Sequence, residues 1–265
     1  MNSAEKNKKI YAFAQKYLEE NLPVGLTKAD LEKYYEPRQF KNLGDVYEQF
    51  IMSAQNRQAM PNIIKFNNEH PTEKTRIKAI LDRLCDGKSY DLVRIRGLQP
   101  ASLYETFSSE LGVSGKSWEG WCKSVVDAAA WLCQFPDADA FRSFILRNDS
   151  DCKKRASLPD EIARHIHGMG FALVCDALKE MGFVSFSKPD VHIKRIFTSL
   201  GLSDDDDNRV FNALDELARD NGVSPYKADK IFWLICSGYF YKDRFVKGKH
   251  PKADDFIAEA RNMIK

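Results

Sequence analysis

Asp190 is the residue that its neighbours best equip for chemistry. It follows Lys188-Pro189 and comes twenty residues after Gly170, within the stretch HIHGMGFALVCDALKEMGFVSFSKPDVHIKRIF from His165 to Phe197. Gly168 and Gly170, two apart, suit a tight turn whose backbone must approach another group closely. Where such a turn opens a helix, its amides can hold a phosphate oxygen without any net positive charge. Asp190, just past a proline, is set to cap the helix starting near Val191, and a capping carboxylate is a fixed one. A backbone phosphate grip followed by one acid at a fixed distance is a way to do chemistry on DNA.

The elements that must position these residues are helical. Apolar residues recur at i, i+3 and i+4 in Ile10–Leu18, Val46–Ser53, Thr75–Leu84, Trp121–Cys133, Phe171–Met181, Val210–Leu217 and Lys227–Cys236. Alternating strand patterns are nearly absent, and no repeat or low-complexity linker interrupts the chain. Ser117 and the pair Ser224-Pro225 stand where N-caps and first-turn prolines belong. The expectation is an all-α protein of many short helices and short loops.

The 265 residues suffice for one sizeable domain or two smaller lobes, each with a real core. Hydrophobic residues at 43% and charged residues at 29% are those of an ordinary soluble protein. No apolar run reaches membrane-span length, and MNSAEKNKKIYAFAQKY lacks a signal-peptide core, which points to a cytoplasmic protein with no membrane partner. The six cysteines form no CxxC pair and read as reduced thiols, several of them in the core. A net charge of +2 does not by itself argue for nucleic acid. The acidic run at 203–208 reads as a solvated helix cap, and the basic run at 241–252 as a phosphate-facing or solvated segment. His165-x-His167 lacks further ligands at zinc spacing.

Several of these residues together resemble the helix-hairpin-helix/Gly-Pro-Asp superfamily of DNA glycosylases, which includes endonuclease III and the alkyladenine glycosylases. Ile166-His167-Gly168-Met169-Gly170 is similar to the family hairpin, leucine-proline-glycine-apolar-glycine. Pro189-Asp190-Val191-His192-Ile193-Lys194-Arg195 resembles the endonuclease III motif, with His and Arg in the same steps after the acid. Phe50-Ile51-Met52-Ser53-Ala54-Gln55-Asn56 resembles the family's early helix ending in Ser-Ala-Gln. The three signals stand in the family's order across roughly residues 45–200.

The resemblance implies two helical lobes with a DNA-binding cleft between them. A central helical barrel at 45–184 would carry the hairpin, and 1–44 plus 185–265 would form the second lobe with the catalytic Asp. It implies that Gly168, Gly170, Phe171 and Ala172 meet DNA, that Gln55 or Asn56 fills the space left by a flipped nucleotide, and that Asp190 is catalytic. The carbonyls of Arg164, Ile166 and Met169 would bind a structural K+ or Na+; no other cofactor is required. Trp118, Trp121, Tyr47 and His192 are candidates for the base pocket, although the core is the better place for the aromatic ones, and His192 could equally orient the Asp190 loop.

Two departures narrow the chemistry. Family members that also cleave the strand carry a Schiff-base lysine two residues after the second hairpin glycine, where this chain has Ala172. Lys179 and Lys188 do not occupy that step and read as solvated or phosphate-facing. Only Cys236 follows Asp190, so the family's iron–sulfur cluster has no local ligands here. The expected protein is a monomeric, monofunctional DNA glycosylase acting on a damaged or modified base in double-stranded DNA. It would be nucleoid-associated in a prokaryote and nuclear in a eukaryote. Two alternatives stay open: a DNA-binding protein that keeps the hairpin without catalysis, and a glycosylase directed at foreign modified DNA.

Overall fold

A computed structural model of the chain describes residues 2–57, 60–243 and 252–264. Among these residues every regular element is a helix and none is a strand. Clustering of the backbone separates two units, Met1–Arg38 with Gly182–Lys265, and Gln39–Met181. Met1–Arg38 supplies α1 (Ser3–Glu20) and α2 (Lys28–Tyr35). Gln39–Met181 supplies α3 (Leu43–Ala54), α4 (Met60–Ile64), α5 (Pro71–Leu84), α6 (Leu92–Ile95) and α7 (Pro100–Leu111). It continues with α8 (Lys116–Leu132), α9 (Ala138–Asp149), α10 (Cys152–Ala163) and α11 (Phe171–Glu180). Gly182–Lys265 supplies α12 (Val191–Ser199), α13 (Asp207–Asp220), α14 (Pro225–Ser237) and α15 (Ala253–Ile264).

The chain crosses between units at 38/39 and 181/182, against the 44/45 and 184/185 expected from sequence. Phe40 explains the first difference. It is buried against Phe141 at 5.7 Å between ring centroids, and the Arg142 guanidinium covers its ring at 4.2 Å. Those partners lie on α9, so the segment before α3 folds with the unit that follows it. At the return crossing Gly182 has φ +98°, and a Cβ there would stand 3.0 Å from the Arg38 carbonyl oxygen. Only glycine fits so tight an approach in that conformation.

In the unit carrying Asp190, α14 is the central helix. Ile231, Phe232, Leu234 and Ile235 are fully buried, and the helix packs against α1, α2, α12, α13 and α15. A helix apolar on so many faces has to lie inside. Its first turn is set by Ser224, whose hydroxyl accepts from Lys227 N at 3.2 Å, with Pro225 in the first helical position. Asp206, from the acidic run, caps α13 in the same way through Arg209 N at 2.9 Å. Ser117 is not a cap: α8 begins at Lys116 behind Gly115, whose φ of +98° turns the chain into the helix without a side-chain bond. Most of the basic run lies outside the described residues, in 244–251.

In the unit carrying the hairpin, α8 is central and buries Trp121, Cys122, Val125, Ala128, Ala129 and Leu132 against α3, α6 and α7. Glu48 on α3 accepts from Tyr90 Oη at 2.5 Å and pairs with Lys74 Nζ at 2.5 Å. Burial pushes its carboxyl up, but these donors outweigh that and hold it below the usual glutamate range. A depressed folded pKa stabilises above the unfolded glutamate range and is lost as pH falls through the folded value. Melting temperature should therefore fall on acidification below that range, and Glu48→Gln should flatten the fall. Equal slopes for the two proteins would contradict the role given to Glu48.

Cys85, Cys122 and Cys175 are buried thiols, Cys133 and Cys236 are half-buried and Cys152 is exposed. No described helix is long and apolar enough to cross a membrane.

Candidate functional site

The hairpin is the turn 164–170 between α10 and α11, two helices that pack on each other. Two side chains of α8 fix it. Asp127 Oδ2 accepts from the His167 amide at 3.0 Å, and Ser124 Oγ donates to the His167 carbonyl at 2.6 Å. The chain then reverses at Gly168, with φ +74°, and enters α11 through an extended Gly170. A Cβ on Gly170 would meet nothing within 4 Å, and no side chain caps α11. The helix thus opens onto an exposed glycine with its first-turn amides uncapped by side chains, as a site for an anion's oxygen requires. Ala172, in that first turn, is half-exposed, while Phe171 is buried.

The carbonyls of Arg164, Ile166 and Met169 all belong to this turn. Ile166 O accepts from Met169 N at 3.2 Å and keeps one lone pair. The carbonyls of Arg164 and Met169 accept no backbone hydrogen bond among the described residues. All three oxygens thus retain acceptor capacity. Separately, no group of three or more His, Cys, Asp or Glu placed to hold a metal ion occurs among the described residues.

Asp190 is the N-cap of α12. One carboxylate oxygen, Oδ1, accepts from the amides of His192 at 3.0 Å and Ile193 at 3.2 Å. The other, Oδ2, lies 3.9 Å from Lys188 Nζ, and both side chains are only 14% exposed. Lys188 is therefore not a freely solvated side chain; its ammonium faces the acid. The loop is clamped from behind by α14: fully buried Asp229 accepts the Lys188 amide at 2.6 Å, and Tyr226 N donates to Val184 O at 2.9 Å. On α12 beyond the acid, Arg195 pairs with Asp254 of α15. Burial pushes the Cys236 thiol up; Arg195 opposes the shift and the Asp190 charge adds to it. The carboxylate, the guanidinium and the thiol thus lie within electrostatic reach of one another.

Gln55 does not sit where a wedge would. It is fully buried and its amide is spent on a single residue: Oε1 accepts from Phe66 N at 2.9 Å and Nε2 donates to Phe66 O. A side chain closing its own loop in this way does not reach a nucleotide gap. Its neighbour Asn56 is exposed, and its Nδ2 donates to Asp176 Oδ2 at 2.9 Å. Asp176 also accepts from Ser53 Oγ at 3.0 Å, so one buried carboxylate of α11 ties the end of α3 to the hairpin helix. Of the two wedge candidates the structure leaves Asn56 at the surface.

The remaining aromatic candidates are core residues. Tyr47 is fully buried with its hydroxyl on Val125 O at 3.2 Å, and Trp121 is fully buried with its indole N–H on Ile51 O at 2.9 Å. Trp118, 2% exposed, packs at 5.5 Å from Phe107 and 5.6 Å from Trp121. None of the three offers a face to a flipped base. Lys179, read from sequence as solvated or phosphate-facing, is buried as well. His192 is half-buried; its backbone, not its ring, bonds to Asp190.

Sequence reasoning missed Asp127, Ser124, Asp176 and Asp229. The signal for Asp176 was present, a lone charge inside the apolar run FALVCDAL. No family model, curated protein or solved structure matches this chain.

Proposed function

We propose that the protein is a monofunctional DNA glycosylase that hydrolyses the N-glycosidic bond of a damaged or modified base flipped out of double-stranded DNA. The observation that carries this reading is Asp190 itself, which gives one oxygen to the cap of α12 and leaves the other off the cap, 3.9 Å from Lys188 Nζ. The turn 164–170, with α10 and α11, serves as the helix-hairpin-helix and holds a phosphate oxygen on the opening amides of α11. A K+ or Na+ on the Arg164, Ile166 and Met169 carbonyls would supply positive charge facing that phosphate.

As the base departs, the deoxyribose takes on oxocarbenium character. A carboxylate fixed by two backbone amides stabilises that cation without having to reorganise, and its free oxygen can orient or deprotonate the attacking water. The adjacent Lys188 ammonium offsets the cost of holding the acid at low exposure. Extrusion of the base costs a few kcal/mol, less for a damaged or mispaired base, which is one source of selectivity. Asn56, exposed at the end of α3, would enter the vacated stack by exchanging its bond to Asp176.

A second reading has its own support. The N-cap role alone accounts for an aspartate at 190, which suits a DNA-binding protein that keeps the hairpin without catalysis. Incubating the protein with alkylated, oxidised, deaminated or otherwise modified duplexes, followed by alkali, separates the two. Strand breaks at the modified position support the glycosylase, and binding without breaks across the set supports the rival.

Water as nucleophile also predicts that borohydride traps no covalent protein–DNA adduct. Lys188 is the lysine beside Asp190, so a trapped adduct that disappears in Lys188→Ala would overturn the monofunctional assignment.

A further inference from the structure

Asp229 is a fully buried carboxylate on α14 to which the chemistry above gives no task. A charge placed where water does not reach is costly unless donors surround it, so the donors it meets there matter. One of them is the Lys188 amide at 2.6 Å, the short distance of a charge-assisted hydrogen bond. Lys188 stands two residues before Asp190.

The path from that amide to the acid has little freedom. Pro189 has no N–H to tether, and its ring locks its φ. Asp190 N donates back across it to Lys188 O at 2.8 Å, closing a three-residue turn. Asp190 Oδ1 then caps α12 through His192 N and Ile193 N, while Oδ2 faces Lys188 Nζ at 3.9 Å. Upstream, the loop is held at Val184 O by Tyr226 N, three residues before Asp229 on the same helix, and by fully buried Phe186, 6.3 Å from Phe211. The start of α14 therefore grips the loop at two points, and the one nearer the acid is the buried carboxylate. A displacement of Lys188 passes through one stiff residue to the Asp190 carboxylate, and along its own side chain to the ammonium beside it.

We infer that Asp229 is a positioning residue for Asp190: through the Lys188 amide it fixes where the carboxylate and its partner ammonium stand. That the acid so fixed acts on a deoxyribose rests on the glycosylase reading; the fixing itself does not.

Amide hydrogen exchange and steady-state base release in the full-length protein test this together. Asp229→Ala removes the acceptor, whereas Asp206→Ala, at the cap of α13, lowers stability without touching the loop. Asp229→Ala should speed exchange at Lys188, His192 and Ile193 by about tenfold beyond any change at Ile231 and Ile235 in the body of α14. It should lower kcat by about tenfold to a hundredfold, with KM for the modified duplex within about threefold, because the phosphate grip is on α11. Asp229→Asn, which keeps an oxygen acceptor without the charge, should show the same pattern reduced to about a few-fold, and it carries the test if Asp229→Ala does not fold. Asp206→Ala should leave kcat and the three amides unchanged. Unchanged exchange at those amides, faster exchange with wild-type kcat, or a KM that rises as much as kcat falls overturns the assignment. If the wild-type protein releases no base from any modified duplex, the local rise in exchange still supports the clamp, and the glycosylase reading is what falls. Base release with unchanged exchange does the reverse.

Discussion

Asp190→Asn should reduce base release by about 10²–10⁴-fold, the range lost with a positioned acid–base or electrostatic group, while the protein stays folded and bound to DNA. The structure makes this substitution informative. Asn caps helices about as well as Asp, so its side-chain oxygen can still accept from His192 N and Ile193 N. The amide removes the negative charge and the proton acceptor without emptying the site. Asp190→Ala loses both roles and should also cost about 1 kcal/mol of stability through the missing cap. The two variants therefore separate chemistry from structure. Wild-type base release by both variants, with melting temperature lowered only in Asp190→Ala, would mean that Asp190 is a cap and nothing more.

Gln55→Ala should destabilise the fold by about 2–5 kcal/mol, because Phe66 is fully buried and loses a partner for both its N–H and its C=O. The emptied amide volume adds a cavity cost in the same direction. Asn56→Ala removes one donor to buried Asp176 and should cost about 1–2 kcal/mol, less than Gln55→Ala, while weakening binding to duplexes that present an extruded base. Chemical denaturation of the two variants reads the contrast directly. A stable Gln55→Ala with impaired discrimination between flipped and paired bases would restore Gln55 as the wedge.

These two residues mark where the sequence could and could not be read. Helical periodicity identified the long elements well. All seven apolar-periodic stretches fall on helices, because a buried face must repeat every three to four residues. Helices of four or five residues, such as α6 and α4, are too short to show a period. The cap at Asp190 was legible because it is local, made with amides two and three residues on. The clamps behind the site were not. Asp127 meets His167 across forty residues and Asp229 meets Lys188 across forty-one, and nothing local announces such partners. Gln55 misled for the same reason, since its motif does not say that the loop to Phe66 closes over it.

Lys188 gained its role from three dimensions in the same way. In sequence it is one of many lysines; in the fold it is half-buried, its amide on Asp229 and its ammonium facing the acid.

The most direct test of the central claim is mass spectrometry of free bases released from DNA carrying alkylated, oxidised, deaminated and hypermodified bases. It should be run with the wild-type protein and with Asp190→Asn. At least one free modified base should appear with the wild type, leaving an intact abasic strand, and should be absent or reduced by two or more orders of magnitude with Asp190→Asn. No released base from any of these DNAs, or equal release by the two proteins, would contradict catalysis by Asp190.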